Sequence, residues 1–310
     1  MSDMKPKIAF GMIVFEGDYF LQHVLEQVYP VAAQILIAEG PVNYFQRLGR
    51  TTSTDRTNDI LAAFPDPEKK IVVIHGRYKE KDDQCQAYTP FLRPDIDYLW
   101  NLDADECYSS RDLSNIIDVL RSEEPTSVGV QSVSFFGGFD RYLTGFEQRV
   151  DNFLRIFKVV PGARWLTHRP PTIKYPMGAE PPRRHINSDL LYELCGGVMH
   201  HYSYVFPRQV FRKVSYYKSA VSRERCLDSY FDRVYKPWVL GGLDDRNQVE
   251  RQFSGVHEFR PEFRGDCFTA PYTGIHPESI NFDFKQLSQR LEDELLVLRE
   301  NEQFFANYCR

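Results

Sequence analysis

Long apolar runs are missing from this 310-residue chain. Nothing in it approaches the ~20 consecutive apolar residues that a membrane-crossing helix needs. The opening segment, Met1 to Lys7, is polar and lacks the apolar core of a secretory signal, so a cytoplasmic setting is the expectation. A basic excess is missing as well. The net charge is −5, which argues against general nucleic-acid binding, whereas a phosphate-bearing small ligand needs only a local basic patch. The six cysteines, Cys85, Cys107, Cys195, Cys226, Cys267 and Cys309, are scattered and form no Cys-x-x-Cys pair. Free thiols in a reducing compartment are therefore expected, and a disulfide framework is not. There is also no internal repeat and no low-complexity tract.

The 42% hydrophobic and 26% charged residues are ordinary for a globular chain. At this length the chain buries a substantial core, as one large domain or a domain with an appendage. Lys7 to Val14 is an apolar run that reads as a fully buried parallel strand. Asp18 is placed to cap a helix from Tyr19 to about Gln27, and Gln34 to Ala38 is a second buried strand ending at Glu39-Gly40-Pro41. Asn43 to Thr57 is polar and reads as a loop; Asp55 to Phe64 reads as a short helix stopped by Pro65. Lys69 to His75 reads as a third strand and Lys81 to Leu92 as a helix. Strands alternating with helices predict an α/β fold with a mostly parallel sheet flanked by helices.

The stretch on which the rest is organised is Tyr98-Leu99-Trp100-Asn101-Leu102-Asp103-Ala104-Asp105-Glu106. It starts as a buried strand and breaks into three acidic residues within four positions. In an extended segment Asp103 and Asp105 project to the same side. Two carboxylates held a few ångströms apart repel unless a cation sits between them. Hard oxygen donors of this kind suit Mg²⁺ or Mn²⁺, particularly where substrate phosphates complete the shell. Ligand sites of open α/β sheets lie beyond the carboxyl ends of the strands, which is where this triplet falls. Ser109 to Asp112 then opens an amphipathic helix marked by Leu113, Ile116, Ile117 and Leu120.

Further on, Ser127 to Phe136 and Phe153 to Val160 read as strands that add an antiparallel part. Residues 169–188 are too rich in proline for a regular helix or a central strand. They form either a surface loop or a lid bringing Arg183, Arg184 or His185 to phosphate. Gly196 to Val205 is strand-like and carries the adjacent pair His200 and His201. Because neighbours in a strand face opposite ways, only one of the two reaches any common site. His168 is a further candidate for an acceptor or phosphate contact. Helices follow from Arg208, ending in a long amphipathic one over residues 282–306 with Leu287, Leu291, Leu295, Leu296 and Leu298 as its apolar positions. The expected division is a catalytic domain over residues 1–205 and a helical C-terminal extension over 206–310.

These segments together resemble the family 2-like glycosyltransferases of GT-A fold. The likeness is carried by Ile8 to Val14 with Glu16 beyond it, and by the second strand with Glu39. It continues in Lys81-Asp82-Asp83-Gln84-Cys85-Gln86-Ala87-Tyr88, Asp103-Ala104-Asp105-Glu106 and His200-His201-Tyr202-Ser203-Tyr204-Val205, spanning residues 7 to about 217. The resemblance implies transfer of a sugar from a nucleotide-diphosphate donor, UDP being favoured, to a hydroxyl acceptor such as a glycan. It implies a Mn²⁺ or Mg²⁺ ion held by Asp103 and Asp105, with His201 or His200 completing the shell. It places Val14, Phe15, Glu16, Glu39, Lys81, Asp82, Gln84, Asp103, Ala104 and Arg183 around the nucleotide sugar. The acceptor hydroxyl needs a carboxylate base, for which Asp140, Asp151, Asp189 and Glu193 are candidates. The Gln-x-x-Arg-Trp signature of the polymerising members is absent, so the base and the stereochemical outcome stay open. Two other readings compete. One is a sugar-phosphate nucleotidyltransferase, which Phe15-Glu16-Gly17-Asp18 disfavours because acidic residues there repel a triphosphate. The other is a non-catalytic carbohydrate-binding protein of the same fold.

Overall fold

The computed structural model describes residues 5–144, 153–220, 230–253 and 268–300. In chain order these form β1 (Ile8–Val14), α1 (Leu21–Val28), β2 (Gln34–Glu39), α2 (Asn43–Arg47), α3 (Thr57–Ala63), β3 (Ile71–His75), α4 (Lys81–Tyr88), β4 (Tyr98–Asp103), β5 (Glu106–Cys107) and α5 (Ser110–Glu123). Then come β6 (Ser127–Gly129), β7 (Gln131–Phe136), β8 (Arg141–Leu143), β9 (Leu154–Lys158), β10 (Arg164–His168), β11 (Pro171–Lys174), β12 (His185–Ile186), α6 (Ser188–Cys195) and β13 (Val198–Tyr204). The last part holds α7 (Pro207–Ala220), a π-helical turn (Phe231–Tyr235), α8 (Lys236–Leu240), α9 (Leu243–Gln252), β14 (Thr269–Pro271), α10 (Glu278–Phe282) and α11 (Phe284–Glu300). No helix among the described residues is long and apolar enough to cross a membrane.

The chain divides into two compact units. The first, Met1–Gln131 with Val150–Met199, contains the large mixed sheet, ordered β12-β6-β9-β4-β1-β2-β3. The strands β4, β1, β2 and β3 run parallel, and β9 is antiparallel to both β4 and β6. The expected GT-A-type α/β sheet is thus observed. All seven residues of β1 and all six of β2 are buried, which is why both read as unbroken apolar runs.

Some boundaries differ from the sequence reading for local reasons. The first helix starts later than read: the segment from Gly17 to Phe20 turns first, with the Phe20 and Leu21 amides donating to the Gly17 carbonyl, and α1 opens at Leu21. The polar stretch after β2 contains the short helix α2, and the helix beginning at Lys81 ends at Tyr88, where Thr89-Pro90-Phe91 tightens into a 3₁₀ turn. The proline-rich stretch still yields β11, which pairs with β10 and starts at Pro171, where the missing N–H costs no central ladder bond. One glycine is required outright. Gly40 has φ +140°, and a Cβ on it would lie 2.0 Å from the Gly76 carbonyl oxygen, because the chain leaving β2 passes directly against the chain leaving β3.

The second unit, Ser132–Arg149 with His200–Arg310, is built on a sheet in which β14, β8, β7 and β13 are successive neighbours. Helices cover it around Phe136, Tyr204, Tyr235 and Trp238. Along α11 the buried positions are Leu287, Leu291, Glu294 and Leu298, a spacing of one helical face. Leu296 falls off that face and is half exposed. The Glu294 carboxylate occupies the face because it accepts the Arg208 amide at 3.0 Å, capping the first turn of α7.

Candidate functional site

Four parallel strands finish along one rim. Register pairs Ile13 of β1 with Asp103 of β4, Val14 with Glu39 of β2, and Glu39 with His75 of β3. Strand neighbours lie about 4.8 Å apart, so Asp103 to His75 spans about 15 Å, the scale of a nucleoside diphosphate.

At the β2–β3 end Glu39 is buried. Its carboxylate accepts the Ser53 amide at 3.0 Å and faces His75 Nδ1 at 2.9 Å. A cleft of about 640 Å³ opens over it, with Thr51, Thr52, Asn58, His75 and Arg77 among its walls. Beside it, the loop after β1 is held by the hydroxyl-rich segment 53–57. Ser53 Oγ accepts the Glu16 amide at 2.9 Å, Thr57 Oγ1 accepts the Gly17 amide at 2.8 Å, and Asp55 accepts the Asp18 amide at 3.1 Å. Glu16 returns the bond by accepting the Thr54 amide and hydroxyl. The Ser53 and Thr57 hydroxyls thus satisfy amides just beyond the end of β1, while the Thr54 hydroxyl donates to the Glu16 carboxylate. This strap holds Glu16 at φ +54°, a conformation rare for a side-chain-bearing residue.

The β4 end carries the acidic turn. Asp103, Ala104 and Asp105 are partly exposed, whereas Glu106 is fully buried. A Cβ on Gly17 would lie 3.3 Å from the Ala104 Cβ, so the loop after β1 packs closely on this turn. Arg155, from β9, reaches Glu106 with its Nε at 3.1 and 2.9 Å from the two carboxylate oxygens and with a terminal nitrogen on Oε1. That terminal nitrogen stands 3.9 Å from Asp103 Oδ2. Burial works against ionisation of Asp103, but the Arg155, Lys81 and Arg169 charges outweigh it and hold the carboxyl below the usual range. For Glu106, burial and the neighbouring Asp103 and Asp105 push the carboxyl up, against the pull of Arg155.

The helix read from Lys81 onward is present as α4. Its Asp82 carboxylate accepts the His168 amide, tying α4 to the end of β10. Gln84 is committed to the backbone: its side-chain amide lies 3.3, 3.0 and 3.2 Å from the carbonyls of Val14, Ala38 and Gly40, joining the ends of β1 and β2. His168 is buried, with Nδ1 3.5 Å from the Cys85 sulfur, and burial pushes its pKa down to about 3. Of the basic candidates in residues 169–188, Arg184 pairs with Glu123 and His185 Nδ1 lies 2.8 Å from Ser127 Oγ, while Arg183 is exposed. Among the candidate bases, Asp189 accepts the Gln131 side-chain amide at 3.0 Å and Glu193 is exposed on α6. Asp151 lies outside the described residues.

His200 and His201 belong to the second unit. His200 Nε2 is 3.0 Å from the Tyr272 hydroxyl, and His201 Nδ1 is 3.3 Å from Ser134 Oγ. In the same unit His276 Nδ1 meets the Tyr202 hydroxyl at 2.9 Å. Burial lowers the pKa of His276 to about 4. The unfolded chain therefore takes up a proton near pH 6.5 that the folded chain refuses until about pH 4, and stability is lost as pH falls through that window. At pH 5 this amounts to about 2 kcal/mol, from 1.36 kcal/mol per unit over about 1.5 units below 6.5. Urea unfolding at pH 7.5 and pH 5 is expected to show His276→Phe losing about 2 kcal/mol less than the wild type between the two. Equal losses would contradict the buried neutral histidine.

Among the described residues, no three His, Cys, Asp or Glu side chains gather closely enough to hold a metal by themselves. The donor set at the rim is instead two carboxylates flanking Ala104, both partly open to solvent. That fits an ion such as Mg²⁺, which is bound through one or two carboxylates with substrate phosphates and water filling the shell.

Sequence reading missed Arg155, Glu106 as its partner, His75 and the Ser53–Thr57 strap. Only Arg155 had a usable signal, since a cation inside the apolar run Phe153-Leu154-Arg155-Ile156-Phe157 must have an anionic partner.

Residues 51–168, from the strap to the end of β10, match the model of the family described as Glycosyl transferase family 2. No curated protein matches the chain. Among solved structures the chain is similar to a 4-diphosphocytidyl-2C-methyl-D-erythritol synthase from Anaerococcus prevotii DSM 20548, at 13% identity over 50% of this chain and 72% of that one, with a TM-score of 0.31. It is also similar to S. aureus TarS 1-349, at 8% identity over 81% and 80% of the two chains, with a TM-score of 0.40. The same TarS fragment in complex with UDP gives 8% identity, 78% and 77% coverage and a TM-score of 0.37. The acidic turn, the strap and α4 all lie inside the segment that is similar to the glycosyl transferase family 2 model.

Proposed function

We propose that the protein is a metal-dependent transferase that moves a sugar from a nucleotide-diphosphate donor, UDP-sugar by preference, to a hydroxyl of a glycan acceptor. The observation that carries this reading is the rim itself, with the Asp103–Asp105 turn at one end and the Glu39 cleft at the other. Glu39, held by Ser53 and His75, offers a fixed acceptor to the donors of a base or ribose. The strapped loop from Val14 to Gly17 lines the path between them, and Lys81 lies in the electrostatic neighbourhood of Asp103. Asp103 and Asp105 are the residues that would hold Mn²⁺ or Mg²⁺. Bound there, the ion supplies a Lewis acid and a template for the diphosphate leaving group. The chain's own part is to keep Asp103 ionised and the nucleotide aligned, so that charge developing on the phosphate meets a preorganised environment. In the TarS complex with UDP the nucleotide is bound to that protein; UDP is the first donor nucleotide to try here.

The test is to incubate the protein with Mn²⁺ and a panel of nucleotide sugars and to follow nucleoside diphosphate release. Release from one donor, dependent on the metal, is the expected result. Release of pyrophosphate from a nucleoside triphosphate and a sugar phosphate would replace this reading by nucleotidyl transfer. Glycan binding with neither product would leave a non-catalytic protein.

A further inference from the structure

We propose that Glu106 is a positioning residue that holds the Arg155 guanidinium off Asp103, so that Asp103 stays available to a divalent cation. The inference rests on the metal reading above and adds a role to a residue which that reading leaves unused.

Arg155 is a buried cation standing between two carboxylates, and it is bonded to only one of them. Its Nε contacts both oxygens of Glu106, and a terminal nitrogen adds a further bond to Oε1. The same terminal nitrogen stops 3.9 Å short of Asp103 Oδ2, beyond hydrogen-bond reach. Glu106 cannot follow a movement of the arginine, since it is fully buried and its Oε2 also accepts the Asp103 amide at 3.2 Å. The acidic turn thus carries its own clamp: the fourth residue grips the cation and, through the backbone bond, holds the first residue in place.

The alternative partner is close. A movement of about 1 Å brings the guanidinium into charge-assisted contact with Asp103, and a planar fork of donors suits a carboxylate wherever it meets one. An arginine seated on Asp103 competes with a divalent ion for the same oxygens. What decides between the two arrangements is the charge on Glu106. A glutamine there keeps the shape but accepts weakly through one oxygen, and the arginine turns to the stronger anion.

The test is Mn²⁺ binding to the full chain, measured by electron paramagnetic resonance of the free ion at pH 7.5. Wild type, Glu106→Gln and the double variant Glu106→Gln/Arg155→Met are compared. The single variant is expected to bind Mn²⁺ about tenfold more weakly, in line with the effect of losing a partner behind a metal ligand. The double variant, which has lost the competing cation, is expected to return to within about threefold of the wild type. Circular dichroism at the assay temperature shows each variant folded, so that a weaker affinity in the single variant reports the site and not loss of the fold. Equal affinity in wild type and single variant overturns the proposal, and so does loss of binding in the double variant. Should the single variant fail to fold, Glu106→Asp takes its place: it keeps the charge but draws it back from the guanidinium, and the same loss of about tenfold is expected, equal affinity again overturning the proposal. Absence of Mn²⁺ binding by the wild type overturns the metal reading and this inference together, which separates that failure from the other two.

Discussion

Replacing Asp105 by alanine is expected to lower sugar transfer about 10³-fold while leaving the fold intact. The magnitude follows from the several kcal/mol that a metal supplies to a developing phosphate charge, at 1.36 kcal/mol for each factor of ten. The fold survives because Asp105 lies in the partly exposed turn between β4 and β5 and not in the sheet core. The measurement is steady-state turnover beside a thermal melt. Loss of turnover with an unchanged melting temperature supports the reading, whereas full turnover in the variant would remove Asp105 from it.

Arg155→Met is expected to act on stability first. It leaves Glu106 fully buried without its cation and strips the nearest positive charge from Asp103. Breaking one side of a buried pair costs about 3–5 kcal/mol, much more than the pair contributes relative to an apolar replacement of both partners. The double variant Glu106→Gln/Arg155→Met should therefore recover most of the loss in urea unfolding. A single variant as stable as the wild type would show that the pair is solvated and not part of the core.

The parts of this architecture that were legible in the sequence share a physical reason. Strands buried on both faces leave unbroken apolar runs, so β1 and β2 could be read directly, and the acidic turn stood out because it interrupts such a run at Asp103. Glu39 was visible for the same reason, as an acid ending a buried strand. Strand order was not legible. That β1 lies between β4 and β2, which puts Asp103 and Glu39 on one rim, depends on pairings between segments far apart in the chain. The strap was hidden because Ser53, Thr54 and Thr57 look like any solvated loop until the hydroxyls of Ser53 and Thr57 are seen accepting the amides after β1 and that of Thr54 donating to Glu16. Gln84 shows the converse: a polar residue near a site whose amide is spent on three backbone carbonyls.

UDP affinity with and without Mn²⁺ tests the account most directly. Isothermal titration of the wild type should show UDP binding strengthened by Mn²⁺, and Asp105→Ala should abolish that dependence while retaining the weaker, metal-independent affinity of the Glu39 cleft. UDP affinity that is unchanged by Mn²⁺ in the wild type would contradict it.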